Sequence, residues 1–316
     1  MENNLNNQED HKEPGEIKPY LSMSPVTAAF LALAAVFILY QFGGALLTFA
    51  IFGLEFEKAD VNSVRLLTMG GQILFILLPA LLFARFVYSD VTSALRVNLP
   101  SIKGTLLFVG GLILLTPLLQ SFLYIQNFII DKLAANSSFI NTIKNFIDQI
   151  DEMVQSTYGN LLHAGSIFEA SFIVFVVAVI PALCEETFFR GFVQKSFEHK
   201  FKPVWSILLT SVFFGIYHFN PYGLIALIAL GVYFGFAAYI SNSIFIPMIL
   251  HFLNNFFAVS AFLLLGDEDL ISSKVTPDHD ILFHVISFLI LSLIFSLFIY
   301  YTKRNYHKFR KKEEEL

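Results

Sequence analysis

The sequence of 316 residues is 56% hydrophobic and only 14% charged, and its mean hydropathy is +0.66. These values exclude a soluble globular protein and make lipid part of its surroundings. The formal net charge is -5, and the single cysteine, Cys184, excludes an intramolecular disulfide and any metal site built from several cysteines. The sequence has no nucleotide-binding glycine loop and no nucleic-acid module, so nucleic acid is not expected as a partner.

Apolar segments recur along the chain, and one membrane span needs roughly 20 such residues. From Pro203 to Gly266 there is no Asp, Glu, Lys or Arg. Helices are favoured over barrel strands, because backbone groups in lipid must be satisfied within the segment and the alternation typical of barrel strands is absent. The predicted fold class is all-α, a polytopic membrane protein with eight transmembrane helices, at residues 28–54, 66–88, 104–130, 168–199, 203–219, 222–241, 244–265 and 281–302.

The spans and loops predict five regions. They are a disordered cytoplasmic tail at 1–22, N-terminal transmembrane helices with an outer loop at 23–164, a core at 165–265, an outer loop with the last transmembrane helix at 266–302, and a basic-acidic cytoplasmic tail at 303–316. The long connection after Asp131 carries apolar residues at helical spacing from Ile140 to Val154. We expect a short amphipathic helix there, which either covers an opening into the bundle or only packs against it.

The distribution of Lys and Arg at the helix ends predicts the orientation of the chain. An even number of spans puts both termini on one side, and the basic C-terminal segment places that side in the cytoplasm. Basic residues of two further loops fall inside, whereas acidic residues after the seventh span fall outside. The residues are Lys303, Arg304, Lys308, Arg310, Lys311 and Lys312 at the C-terminus, Arg85, Arg96, Lys103, Arg190, Lys195, Lys200 and Lys202 inside, and Asp267, Glu268, Asp269, Asp278 and Asp280 outside.

Three ionisable residues, Glu185, Glu186 and Arg190, interrupt the fourth predicted span. A charge at the centre of a membrane helix costs about 2.5 to 3.5 kcal/mol for Asp, Lys or Arg, so these residues need an explanation. Residues four apart share a helix face, while adjacent residues point about 100° apart. We therefore expect Glu186 to pair with Arg190 and Glu185 to point elsewhere. The alternative is that both acids share the arginine.

Two further pairs follow on later spans. Phe214 and His218 share one helix face, and His251 and Asn255 lie one turn apart on another. Each pair alone is also explained by hydrogen bonds between transmembrane helices. Depth counting places His218 near the outer end of its span and His251 near the inner third of its own, and so does not by itself bring them together.

Taken together, these residues provide what amide hydrolysis needs: a base for water, a partner that holds the water, and donors for the oxyanion. Glu185 is the predicted base and His218 shares the water. His251 and Asn255 face the developing negative charge. Glu186, Arg190 and Phe214 are the predicted supporting residues.

The ordered motifs Glu-Glu-x-x-x-Arg, Phe-x-x-x-His and His-x-x-x-Asn on separate spans resemble the CPBP family of intramembrane proteases. That family includes the type-two CAAX prenyl endopeptidase and bacterial Abi proteins. No motif position departs from the pattern, and the similarity covers about 165 to 265, the predicted protease core. The resemblance implies cleavage of membrane-associated protein or peptide substrates in or beside the bilayer. We expect an integral protein of a bacterial plasma membrane.

The sequence leaves the metal question open. Glu185, His218 and His251 are acceptable zinc ligands, and three protein ligands plus water is a catalytic zinc arrangement. The chain lacks His-Glu-x-x-His. We favour a metal-free mechanism with glutamate-activated water and no cofactor, with zinc as the alternative.

Other functions compete with proteolysis. A transporter or bacteriocin-immunity scaffold would use buried Glu, Arg and His to relay protons or bind a solute. The corresponding broken helices of two inverted halves, which many transporters have, are not apparent. A degenerate family member would act only as a binding scaffold. The ordered triple motif favours the protease.

Overall fold

The computed structural model describes residues 23–53, 60–266, 272–275 and 280–314. Within these ranges the protein is helical and has no β-strand, which confirms the all-α prediction. The predicted tail at 1–22 and the acidic residues Asp267, Glu268, Asp269 and Asp278 lie outside the described residues. The long helices are α1 Pro25–Phe52, α2 Val61–Val87, α3 Ile102–Asn136, α4 Ser138–Leu162, α5 Ile167–Glu198, α6 Pro203–Tyr217, α7 Leu224–Ser241, α8 Phe245–Leu265 and α9 Ile281–Glu314.

In the described part of the chain, seven helices are long and apolar enough to cross a membrane: α1, α2, α3, α5, α7, α8 and α9. The predicted eighth span, 203–219, is the apolar helix α6, which has only 15 residues. At about 1.5 Å per residue it falls short of a hydrocarbon core of about 30 Å. Seven of the eight predicted spans are thus long enough to cross a membrane, and the eighth is present as a shorter apolar helix. The helix ends at Tyr217, and the backbone leaves the helical conformation at Phe219, whose φ is +47°.

Helix α5 lies at the centre of the bundle. It contacts α1 and α2 on one side and α6 and α8 on the other, while α3 packs lengthwise against α9 and α6 against α7. One apolar core joins α1, α2, α5 and α6, and a second joins α3, α7, α8 and α9. Residues of α5 are therefore held from both sides, and this helix carries the two acids predicted for the site.

Helix α5 widens into π-helical turns at Phe175–Val179 and Thr187–Val193, on either side of the α-helical turn Ile180–Glu186. Pro181 lies in that turn. Proline has no backbone N–H, so it cannot complete the α-helical hydrogen bond to the carbonyl of Val177 four residues earlier. Such π turns are frequent at functional sites, because they change the direction of the side chains that follow.

A helix also forms in the long connection, as predicted. Ser137 caps the start of α4 by accepting a hydrogen bond from the backbone of Ile140. At its end, the buried Arg65 of α2 donates from Nε to the carbonyl of Leu161 and from Nη2 to that of His163. The side chain satisfies carbonyls that a helix C-terminus leaves without partners. Helix α4 is therefore attached to the bundle at its end.

We predict that Gly111→Ala destabilises the bundle. An added Cβ would lie 2.1 Å from Tyr233 Oη and 2.4 Å from Phe298 Cε1, in the contact of α3 with α7 and α9. Overpacking of this kind costs about 1 to 3 kcal/mol. The measurement is the melting temperature of purified protein in one detergent.

The matched control is Gly110→Ala, whose added Cβ meets nothing within 4 Å. Because alanine favours helix over glycine, this variant is expected to melt at or above the temperature of the original protein. Equal melting temperatures for the two variants would contradict the close contact at Gly111.

Candidate active site

The adjacent acids of α5 point to different partners. Glu186 is fully buried, and its Oε1 accepts hydrogen bonds from Nη1 of Arg190 and Nδ1 of His251, both at 2.8 Å. Oε1 of Glu185 instead accepts one from Nε2 of Gln72 at 3.3 Å. Glu186 and Arg190 thus pair at the spacing of one helical turn, and the two acids do not share the arginine as salt-bridge partners.

Arg190 is also fully buried, and it binds the neighbouring helix α7. Its Nη2 donates to the carbonyl of Gly231 at 3.1 Å, and its guanidinium carbon lies 4.3 Å from the centre of the Phe214 ring. A Cβ on Gly231 would come within 3.2 Å of that Nη2, so the absence of a side chain allows the approach. Hydrogen bonds and an aromatic face offset part of the cost of burying this charge.

His218 lies just after α6, at its C-terminal end, and its imidazole faces Glu185. Its Nδ1 donates to the carbonyl of Phe214 at 2.7 Å, and a carbonyl only accepts, so this contact assigns the proton to Nδ1. In the neutral ring Nε2 is then an acceptor. It lies 3.9 Å from Oε2 of Glu185, too far for a direct hydrogen bond but within reach of one bridging water.

Oε2 of Glu185 is buried and has no hydrogen-bond partner among the described residues. A buried carboxylate oxygen without a partner is costly, and in a native structure it calls for an explanation. Two unfilled acceptors therefore face each other across a short gap, one on Glu185 and one on His218.

His251 and Asn255 are both engaged with α5. His251 donates from Nδ1 to Glu186, as described above. Asn255 Nδ2 donates at 3.1 Å to the carbonyl of Val177, the group that Pro181 leaves without its helical donor. An Asn amide has two N–H donors, so one remains beyond this contact. Their positions thus couple the predicted oxyanion donors to the helix that carries the acids.

Phe214 brings the two histidines together. Its ring centre lies 4.6 Å from that of His218 and 5.9 Å from that of His251, and both contacts are edge-on. The predicted residues therefore form two groups that share this ring. One is Glu185 with His218, and the other is Glu186 with Arg190 and His251. Depth counting did not bring the two histidines together, because it treats each span separately and contains no contact between helices.

Gln72 of α2 was not predicted. Its Nε2 donates to Glu185 and, at 3.2 Å, to the hydroxyl of Tyr40 on α1, and the side chain is buried. An amide inside an apolar span is a known signal of contact between transmembrane helices. That signal was present in the sequence, but nothing in it named Glu185 as the partner.

A cavity of about 780 Å³ opens beside the site. His218 and Asn255 lie on its wall, together with Asn254 of α8, and α4 closes one side of it with Asp151 and Gln155. Ligand pockets of several hundred cubic ångströms with a few polar groups are typical of small-molecule and peptide sites. Helix α4 therefore covers part of an opening that leads to the predicted catalytic residues.

The predicted zinc ligands do not converge. His251 has its Nδ1 on Glu186, and in the described part of the chain no three or more His, Cys, Asp or Glu side chains are grouped to hold a metal ion. Glu185 and His218 offer only two donors, whereas a catalytic zinc site uses three protein ligands. The residues in this arrangement do not fit the zinc set proposed from the sequence.

Comparison with known families identifies the segment that holds these groups. Residues 167–257 match the family model described as type II CAAX prenyl endopeptidase Rce1-like. The segment is similar to the CAAX proteases of that family. It runs from the start of α5 into α8 and includes every residue predicted for the site. No curated protein and no solved structure matches the chain. Gln72 and α4 lie outside the CAAX protease segment.

We predict that Glu186→Gln lowers stability more than Glu185→Gln does. The first change removes the charge that faces buried Arg190, and breaking a buried pair costs about 3 to 5 kcal/mol. The second keeps the volume of a side chain that has no described salt bridge to an arginine or lysine. Melting temperature and yield in one detergent measure the difference. A Glu186→Gln protein as stable as the original would contradict this role of the pair.

Proposed function

We propose that the protein is an intramembrane endopeptidase that hydrolyses a peptide bond in membrane-associated protein or peptide substrates with water activated by Glu185. One observation supports this most: the unpartnered Oε2 of Glu185 lies 3.9 Å from the acceptor Nε2 of His218. Water between two acceptors donates one proton to each and turns a lone pair outward. That orientation suits attack on a carbonyl carbon.

In the proposed reaction, Glu185 takes a proton from the water as its oxygen bonds to the substrate carbonyl carbon. The carbonyl oxygen becomes the oxyanion, which the second N–H of Asn255 stabilises. Nδ1 of His251 is already bound to Glu186, so only its Nε2 is left to face the oxyanion. Glu185 then passes its proton to the leaving nitrogen as the carbon–nitrogen bond breaks. Gln72 holds the carboxylate in place through Oε1.

Substitution of the base tests the proposal. Glu185→Gln keeps the size of the side chain but removes the proton acceptor, so turnover per folded molecule should fall at least about 100-fold. The assay uses a library of quenched fluorescent peptides with purified protein in detergent, and melting temperature reports the folded fraction. Near-normal turnover in Glu185→Gln would refute the assignment of the base.

The same preparation tests the metal-free form of the mechanism. Metal content is measured alongside activity before and after treatment with a chelator. We expect activity to persist. Loss of activity to the chelator, with recovery on adding zinc, would make Glu185 and the histidines metal ligands in a rearranged site.

We also propose that both termini are cytoplasmic. The short helix α6 packs lengthwise against the spanning helix α7, which supports a crossing by α6 and an even total. A fluorescent reporter fused after Leu316 should therefore fold in the cytoplasm, and a periplasmic phosphatase fused there should be inactive. Fusions after Gly266 should give the opposite results. An active phosphatase after Leu316 would refute the cytoplasmic C-terminus.

A further inference from the structure

Asp151 is a buried acid on the inner face of α4. It is 3% exposed, and among the described side chains of this helix only Leu162 is buried as deeply. The isoleucines expected to form the apolar inner face are less covered, and Ile143 is 44% exposed. A buried carboxylate is costly unless a cation or several donors satisfy it. The burial of the Asp151 carboxylate is therefore the feature of α4 that most requires an explanation.

The described partners of Asp151 do not neutralise it. Gln155 donates one hydrogen bond at 2.7 Å, and no described Lys or Arg lies within salt-bridge distance. Lys274 attracts Asp151, but its ammonium is bound 2.8 Å from Oδ1 of Asp148, and Asp148 and Glu152 both repel Asp151. The strongest charge effect on Asp151 thus comes from a cation that is already bound to another acid.

Asp148, on the same helix, is an acid whose burial is compensated by hydrogen bonds. Burial acts to raise its pKa, but hydrogen bonds from Lys274, Tyr222 and Lys144 outweigh burial and lower the pKa to about 2. Asp151 lacks such a set of donors, and burial raises its pKa. One acid of α4 thus serves to attach the helix to the bundle, while the other is left facing inward.

Asp151 faces the cavity that leads to His218. The cavity wall includes no Lys or Arg among the described residues, and Asp151 is the one Asp or Glu on it. Gln155, whose amide also bonds the hydroxyl of Ser272, holds the carboxylate at the wall. A single anion in a partly closed cavity of this size attracts a cationic group, since the low dielectric strengthens the attraction.

We propose that Asp151 binds the ammonium or guanidinium group of a Lys or Arg side chain in the substrate, so that this protease selects peptides with a basic residue near the cleaved bond. The inference rests on the proposed function, because the peptide is a substrate only if the protein is a protease. The binding of a basic peptide in the cavity does not depend on hydrolysis.

The test uses N-acetylated, lipid-anchored fluorescent peptides. Within each set the peptides differ at one position, which carries Lys, Gln or Glu. The sets together cover the positions on both sides of the cleaved bond. Acetylation removes the terminal amine as a rival cation. The original protein should cleave the best Lys peptide with a kcat/KM at least about tenfold above its Glu counterpart, as expected for a buried charge contact. Asp151→Asn should abolish this preference, and Asp151→Lys should reverse it.

The matched control is Glu152→Gln, which removes the adjacent acid from the exposed side of α4. It should keep the preference for Lys. A preference for Lys that persists in Asp151→Asn, or its absence from the original protein at every position, would overturn the inference even if Asp151→Lys fails to fold.

Binding to the Glu185→Gln protein separates this inference from the proposed function. Fluorescence anisotropy with the same peptides should show tighter binding of Lys than of Glu peptides, and adding Asp151→Asn should remove the difference. Such binding without hydrolysis by the original protein would refute the protease and keep the basic subsite. Hydrolysis with no difference between Lys and Glu peptides would refute the basic subsite and keep the protease.

Discussion

The buried carboxylate of Glu186 links helix α5 directly to α8 and, through Arg190, to α7. Its Oε1 receives a charged donor from Arg190 on α5 and an imidazole N–H from α8, and Arg190 in turn donates to the backbone of α7. In a low-dielectric interior such charge-assisted hydrogen bonds are strong, and the loss of one partner strands the others. The distance between α5, α7 and α8 therefore depends on this group. The site is built on the same three helices and on the end of α6.

Because Glu186 is bound to Arg190 and His251, Glu185 is left for the role of base that we propose. Adjacent helical residues diverge, so the second acid faces α2 and α6 instead of the arginine. The π turns around Ile180–Glu186 and the missing N–H of Pro181 give α5 an irregular backbone there, and the amide of Asn255 bonds the carbonyl of Val177 that proline leaves without its helical donor. Asn255 thus stabilises the fold and, in our proposal, the oxyanion.

Spacing in the sequence located the helices and the pair of Glu186 with Arg190, since both follow from the period of a single helix. Contacts between helices were beyond that reasoning. The hydrogen bond from Gln72 to Glu185 depends on how α2 lies against α5. The contacts of His218 and His251 with Phe214 depend on how α6 and α8 are placed around α5. The burial of Asp151 was beyond that reasoning too, because apolar periodicity predicts that α4 is an amphipathic helix but not that an acid is its most deeply buried polar residue.

The residues of the proposed reaction and the residues around it come from different parts of the chain. The segment 167–257 carries the proposed base, the histidines and the proposed oxyanion donor, whereas Gln72 and Asp151 come from helices that the family match does not include. Bond-breaking chemistry fixes the geometry of a few groups within a fraction of an ångström, so those groups are confined to rigid, packed helices. A cavity wall has only to present suitable shape and charge. Helices outside the matched segment can therefore set which substrate enters without altering how it is cut.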